Sequence, residues 1–158
     1  MTTQLPIGTI CDGIATVLGA AVISQGGRKQ TYSELTEGMN DWPTLQVYPE
    51  FWNMDARTDT DRHTFPGANA SAPVRMTELT VLADLYARQR NDIAEDMTKL
   101  VQCVDAMVAK FEEQNKSPYF GVAGIKNWKV SGQRVNFVYG DQQIPYTGFR
   151  FTILIRTY

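Results

Sequence analysis

The stretch from Val74 to Gln114 constrains the fold of this chain more than any other, because it carries two hydrophobic periods back to back. From Arg75 to Ala87, Leu79, Val81, Ala83 and Leu85 alternate with Glu78, Thr80, Leu82 and Asp84. A period of two puts the first set on one face of a sheet and the second on the other. Leu82 and Tyr86 interrupt an otherwise polar second face. Arg88-Gln89-Arg90-Asn91 then breaks the alternation, and Asp92 with Glu95 has the spacing of a capping box. Ile93, Met97, Leu100, Val101, Val104, Met107, Val108 and Phe111 follow at intervals dominated by three and four. That spacing predicts an amphipathic helix of about six turns, ending near Asn115 ahead of Ser117-Pro118.

The remaining elements fall on either side. Pro6 is suited to start a helix, and Ile7, Ile10, Cys11, Ile14, Val17, Leu18 and Ala21 continue it to a stop before Gly26-Gly27. A short strand is expected around Gln30-Thr31-Tyr32 within a polar, irregular segment. Trp42-Pro43-Thr44-Leu45-Gln46-Val47-Tyr48-Pro49 reads as a strand closed by prolines, which suit strand ends or a sheet edge. After the long helix, Ile125–Val130 and Arg134–Tyr139 read as a hairpin turning at Ser131-Gly132-Gln133. A second turn covers Gly140 to Pro145, and Thr147–Tyr158 is the last strand, with Phe149, Phe151, Ile153 and Ile155 on one face. The fold class is therefore α+β: an antiparallel or mixed sheet of four to five strands with two helices on one face. The whole chain, residues 1–158, reads as one domain.

Composition narrows the class of function. With 43% apolar and 20% charged residues in 158, the chain is a folding sequence and not a disordered one. A net charge of −2 gives the whole chain no pull toward nucleic acid or membrane. The charge is nonetheless uneven. Asp12, Glu34, Glu37, Asp41 and Glu50 outweigh Arg28 and Lys29 early on, whereas Lys126, Lys129, Arg134, Arg150 and Arg156 face only Asp141 at the end. The first residues lack the basic region of a signal peptide, and the apolar run Ile14–Ile23 is short for a bilayer span, which points to a soluble intracellular chain.

The sequence holds no constellation that points to an enzyme. Cys11 and Cys103 read as reduced, buried thiols on helices. His63 is the only histidine, so no metal site and no cofactor are expected. Asp55, Asp59 and Asp61 lack the central glycine and late glutamate of a calcium loop. Gly26-Gly27-Arg28-Lys29 lacks the spacing of a phosphate loop. What stands out is Phe51–Pro73, a long aperiodic segment that reads as a variable loop or an interaction arm, with Trp52, Arg57, Asp59, Asp61, Arg62 and Phe65 as its candidate contact residues. The sheet face away from the helices is expected to carry Leu82, Tyr86, Val138 and Leu154 as candidate subunit-interface residues.

This order of elements resembles the tail terminator proteins of long-tailed bacteriophages and the related head–tail connector and tail-completion proteins. The likeness covers nearly the whole chain: N-terminal helix, proline-flanked strand Trp42–Pro49, variable arm, the Leu79–Tyr86 strand with the long helix, and a closing strand Tyr146-Thr147-Gly148-Phe149-Arg150-Phe151-Thr152-Ile153. The resemblance implies a structural virion protein of the tail or neck, assembled in the host cytoplasm, and not an enzyme. It implies a homo-oligomeric ring, often a hexamer, that ends tail-tube growth and joins tail to head. Its partners would be itself, the tail tube protein and a head connector or stopper protein, with DNA passing through the lumen without sequence-specific binding and with no membrane. Other neck components (a stopper or an adaptor) and a small intracellular ligand-binding α+β domain are the alternatives.

Overall fold

A computed structural model describes residues 5–35, 43–56, 74–88, 93–139 and 144–158. Among these residues the chain forms helix α1 (Ile7–Ser24), strands β1 (Arg28–Gln30), β2 (Thr44–Ala56) and β3 (Val74–Arg88), helix α2 (Ile93–Glu112), and strands β4 (Ile125–Tyr139) and β5 (Ile144–Thr157). The five strands form one sheet in the order β1-β2-β3-β5-β4. β1 runs parallel to β2, and the other pairs are antiparallel. The sheet is therefore mixed, and the fold class is α+β.

The strand periodicity of β3 decides where the core sits. Leu79, Val81, Ala83 and Leu85 are all fully buried and stand opposite Ile155, Ile153, Phe151 and Phe149 of β5. Helix α1 brings Ile10, Ile14 and Leu18 onto this face, and α2 brings Leu100, Cys103, Met107 and Phe111. By length and composition α1 could cross a membrane, but Ile10, Cys11, Ile14, Ala15, Leu18, Gly19, Ala21 and Val22 are buried within the fold. α1 stops where the sequence says it should. Gly26 takes φ +82°, its N–H donates to the Ile23 carbonyl, and the Gly27 N–H donates to the Val22 carbonyl. That pair of bonds is a Schellman ending, and it uses the left-handed angle that glycine adopts without strain.

Several expectations change. The predicted hairpin in 125–139 is a single strand. Its even-numbered residues from Trp128 to Val138 stay in register with β5, and Gly132 sits opposite Phe151 without a positive φ. Gly132 thus supplies no turn, and uninterrupted pairing with β5 wins over its turn propensity. β2 continues past Pro49 to Ala56, with register shifts after Pro49 and Asn53, so the first part of the expected arm is sheet. β1 begins at Arg28, earlier than expected, and β5 begins at Ile144. Helix α2 ends at Glu112, three residues before Asn115. Asp92 lies outside the described residues.

Candidate interaction surfaces

The sheet face away from the helices is built from cross-strand pairs. Asp84 on β3 stands directly opposite Arg150 on β5 and Gln46 on β2. The Asp84 carboxylate accepts from Arg150 Nε at 2.9 Å and Arg150 Nη2 at 3.2 Å, a two-point grip. The Tyr48 hydroxyl donates to the same carboxylate. Asp84 is 0% exposed, although both helices pack on the opposite face. Its hydrogen bonds satisfy a charge that would otherwise be costly to bury. The same contact holds the Arg150 guanidinium above its usual pKa, chiefly through the hydrogen bond to Asp84.

Beside this network lies an aromatic cluster from three strands. Tyr86 meets Tyr146 edge-on at 5.6 Å between ring centroids and Phe137 at 5.9 Å. Arg150 sits 5.5 Å over the Phe137 ring, which ties the cluster to the charged pair. Gly148 stands opposite Tyr86, and a Cβ there would fall within 2.0 Å of the Leu85 carbonyl oxygen. The glycine of the Tyr-Thr-Gly sequence is thus needed for β3 and β5 to approach this closely.

The helix face differs at its β4 end. Between α2 and the outer strands lies a recess of about 590 Å³, lined by Val104, Val108, Phe111, Trp128, Val130, Gly132, Arg134, Phe149 and Phe151 among others. Trp128 in its wall is held by Gln114, whose carbonyl accepts from Trp128 Nε1 at 3.0 Å and whose Oε1 accepts from the Phe120 N–H at 2.6 Å. Phe111, Phe120 and Trp128 pack against one another with ring centroids 5.5 to 6.1 Å apart, Phe120 edge-on to the other two. The opposite edge of the sheet shows the converse surface. On the far half of β2, Phe51, Trp52 and Met54 are 54%, 51% and 49% exposed.

The structure does not gather the expected interface residues into one patch. Leu82 and Leu154 do share the face away from the helices, buried and half-buried respectively. Tyr86 is on that face but buried within the aromatic cluster. Val138 is on the other face: it alternates with Phe137, which occupies the position assigned to it, and it is 62% exposed. A turn at 131–133 would have reset the parity of the following residues, and the continuous ladder with β5 keeps it. Trp52, expected in a loop arm, stands on β2. Arg57, Asp59, Asp61, Arg62 and Phe65 lie outside the described residues, as does His63.

Sequence reasoning missed the recess, although a signal for it existed. In α2, Val101 and Val108 stand at roughly 80–100° from Leu100 around the helix, at about 100° per residue. The apolar stripe is therefore wider than one sheet contact needs, and these two valines are the exposed flank. Cys11 and Cys103 are buried and unbonded, as expected. Burial, with Asp12 adding to it, pushes the Cys11 thiol up to about 12, and burial raises Cys103 as well, so neither is an activated nucleophile. Among the described residues no group of three or more histidine, cysteine or acidic side chains is placed to hold a metal ion. Compared with known protein families and with curated proteins, the sequence matches no family model and no curated protein.

Proposed function

We propose that this chain is a structural subunit of a long-tailed bacteriophage virion, assembling into a ring, of the hexameric kind, at the head-proximal end of the tail. There it ends growth of the tail tube and joins tail to head through the tube protein on one side and a head connector or stopper on the other. The action is mechanical, a fixed surface presented at a fixed radius. The resemblance in element order carries the family. The observation that carries self-assembly is a sheet with exposed apolar side chains at one edge and an apolar recess beside the other. Surfaces of that kind on a small domain mark interaction sites.

The test is direct. The purified chain is sized by light scattering and imaged by negative-stain microscopy, then mixed with tail tubes. Closed rings that bind tube ends are expected. A chain that stays monomeric and ignores tubes would sink the reading. A second reading, a small-ligand-binding domain, is favoured by the recess alone, whose volume suits a small apolar molecule. It expects a co-purifying ligand in native mass spectrometry of the monomer.

A further inference from the structure

We propose that copies of this protein join head to tail through opposite edges of the sheet, with the far half of β2, led by Trp52, seated against β4 of the next copy and filling the recess beside α2. This deepens the ring reading above and rests on it for self-association, while naming the two surfaces that meet.

The first argument is the backbone. β1 covers β2 only from Thr44 to Gln46. From Val47 to Ala56, β2 has no neighbour on that side among the described residues, and β4 has none on its outer side along Ile125–Tyr139. Long open edges of this kind are templates for pairing with another chain. The strand directions also fit. β3 opposes β2, β5 opposes β3 and β4 opposes β5, so β4 runs opposite to β2. Two copies set side by side in the same orientation therefore bring β4 against β2 as an antiparallel pair, with their helix layers on the same side.

The second argument is the side chains. Trp52 pairs with Leu79 and Met54 with Met76, both core positions on the helix face. Trp52 and Met54 thus belong to the face on which the recess opens, and each is about half exposed in the single chain. The third is charge. The far half of β2 carries Glu50 and Asp55 and no cation, whereas β4 carries Lys126, Lys129 and Arg134 and no acid, all of them exposed. Pairing β4 with β4, or β2 with β2, would set like charges against each other; pairing β4 with β2 sets opposite charges together. A junction between two different surfaces of one chain is heterologous, and it either closes into a ring or runs on as a filament.

The test uses the full chain and two variants at exposed positions, Trp52→Asp and Val108→Asp. Each is expected to weaken association at least about thirtyfold, the effect of losing a central anchor, with an unchanged melting curve. Mixed one to one, they should form a dimer and nothing larger, because one keeps the recess and the other keeps the tryptophan. If Val108→Asp lowers the melting temperature, Arg134→Glu at the rim of the recess takes its place. Assembly of both variants at the wild-type level, or a mixture with no dimer, overturns the proposal. If the wild type forms rings while these variants do too, the junction lies elsewhere and the ring reading survives. A wild-type chain that never associates removes both.

Discussion

The two faces of the β3–β5 pair are buried by different means. Under the helices, Leu79, Val81, Ile153 and Ile155 are fully buried among other apolar side chains. Such packing is non-directional and tolerates swaps of similar volume. On the opposite face, Asp84, Arg150 and Tyr48 interlock by hydrogen bonds, and Tyr86, Phe137 and Tyr146 pack beside them. Here geometry matters more than volume, because each polar atom depends on a particular partner. One face supplies the bulk of the burial, and the other fixes how the middle strands line up.

The largest expected effect comes from Arg150→Met. It leaves the Asp84 carboxylate buried with its ion-pair partner gone, which costs about 3–5 kcal/mol. Urea unfolding should show Asp84→Asn to be milder, because the Arg150 side chain it strands is 31% exposed and finds water. Equal losses in the two variants would mean that the two groups contribute through packing and not through the pair.

Tyr86→Ala comes next. Truncating a buried aromatic costs about 3–5 kcal/mol, and the low end is expected because the cavity lies near the sheet end. Thermal unfolding checks this, and a melting temperature equal to the wild type would show that Tyr86 is not part of the fold's support. Leu154→Asp is expected to cost about 2 kcal/mol, most of a full leucine burial, since this side chain is largely but not fully buried. If the sheet edges are the junction, this variant assembles like the wild type in light scattering. Lost assembly would return the interface to the face of Leu82 and Leu154.

The smallest effect separates two glycines. Gly132→Ala should stabilise by about 0.5 kcal/mol, the usual gain from replacing a strand glycine, because its Cβ would make only ordinary contacts, with the Phe151 ring at 3.6 Å and the Arg150 carbonyl oxygen at 3.9 Å. Gly148 has no such room. A destabilised Gly132→Ala in denaturant titration would mean that the recess needs the glycine open.

Much of the architecture was legible from local pattern. Alternation in β3 named Leu79, Val81, Ala83 and Leu85 as core, and all are fully buried. Helical spacing placed α1 and its glycine stop, and α2 with its buried Leu100, Met107 and Phe111. The aromatic and aliphatic face of β5 was equally clear. The site was less legible. A turn at Ser131-Gly132-Gln133, which local composition favours, would put Val138 on the face away from the helices, whereas β4 runs straight through, and Phe51 belongs to β2 and not to an arm.

Those misses share a cause. Period and composition are local properties, so the sequence by itself determined which segments are helix or strand and which side of each is apolar. Whether Gly132 turns or pairs depends on β5, which continues the ladder past it. Whether Asp84 is a surface charge or a buried one depends on Arg150, 66 residues away along the chain and directly opposite it in the sheet. The recess and the exposed Trp52 arise because α1 packs chiefly on β1 and β2 and α2 on β3 and β5, which leaves the end of β2 around Trp52 and the outer strand β4 largely uncovered. Strand order, register and the reach of a helix are set by contacts between distant segments, and only the tertiary structure decided them.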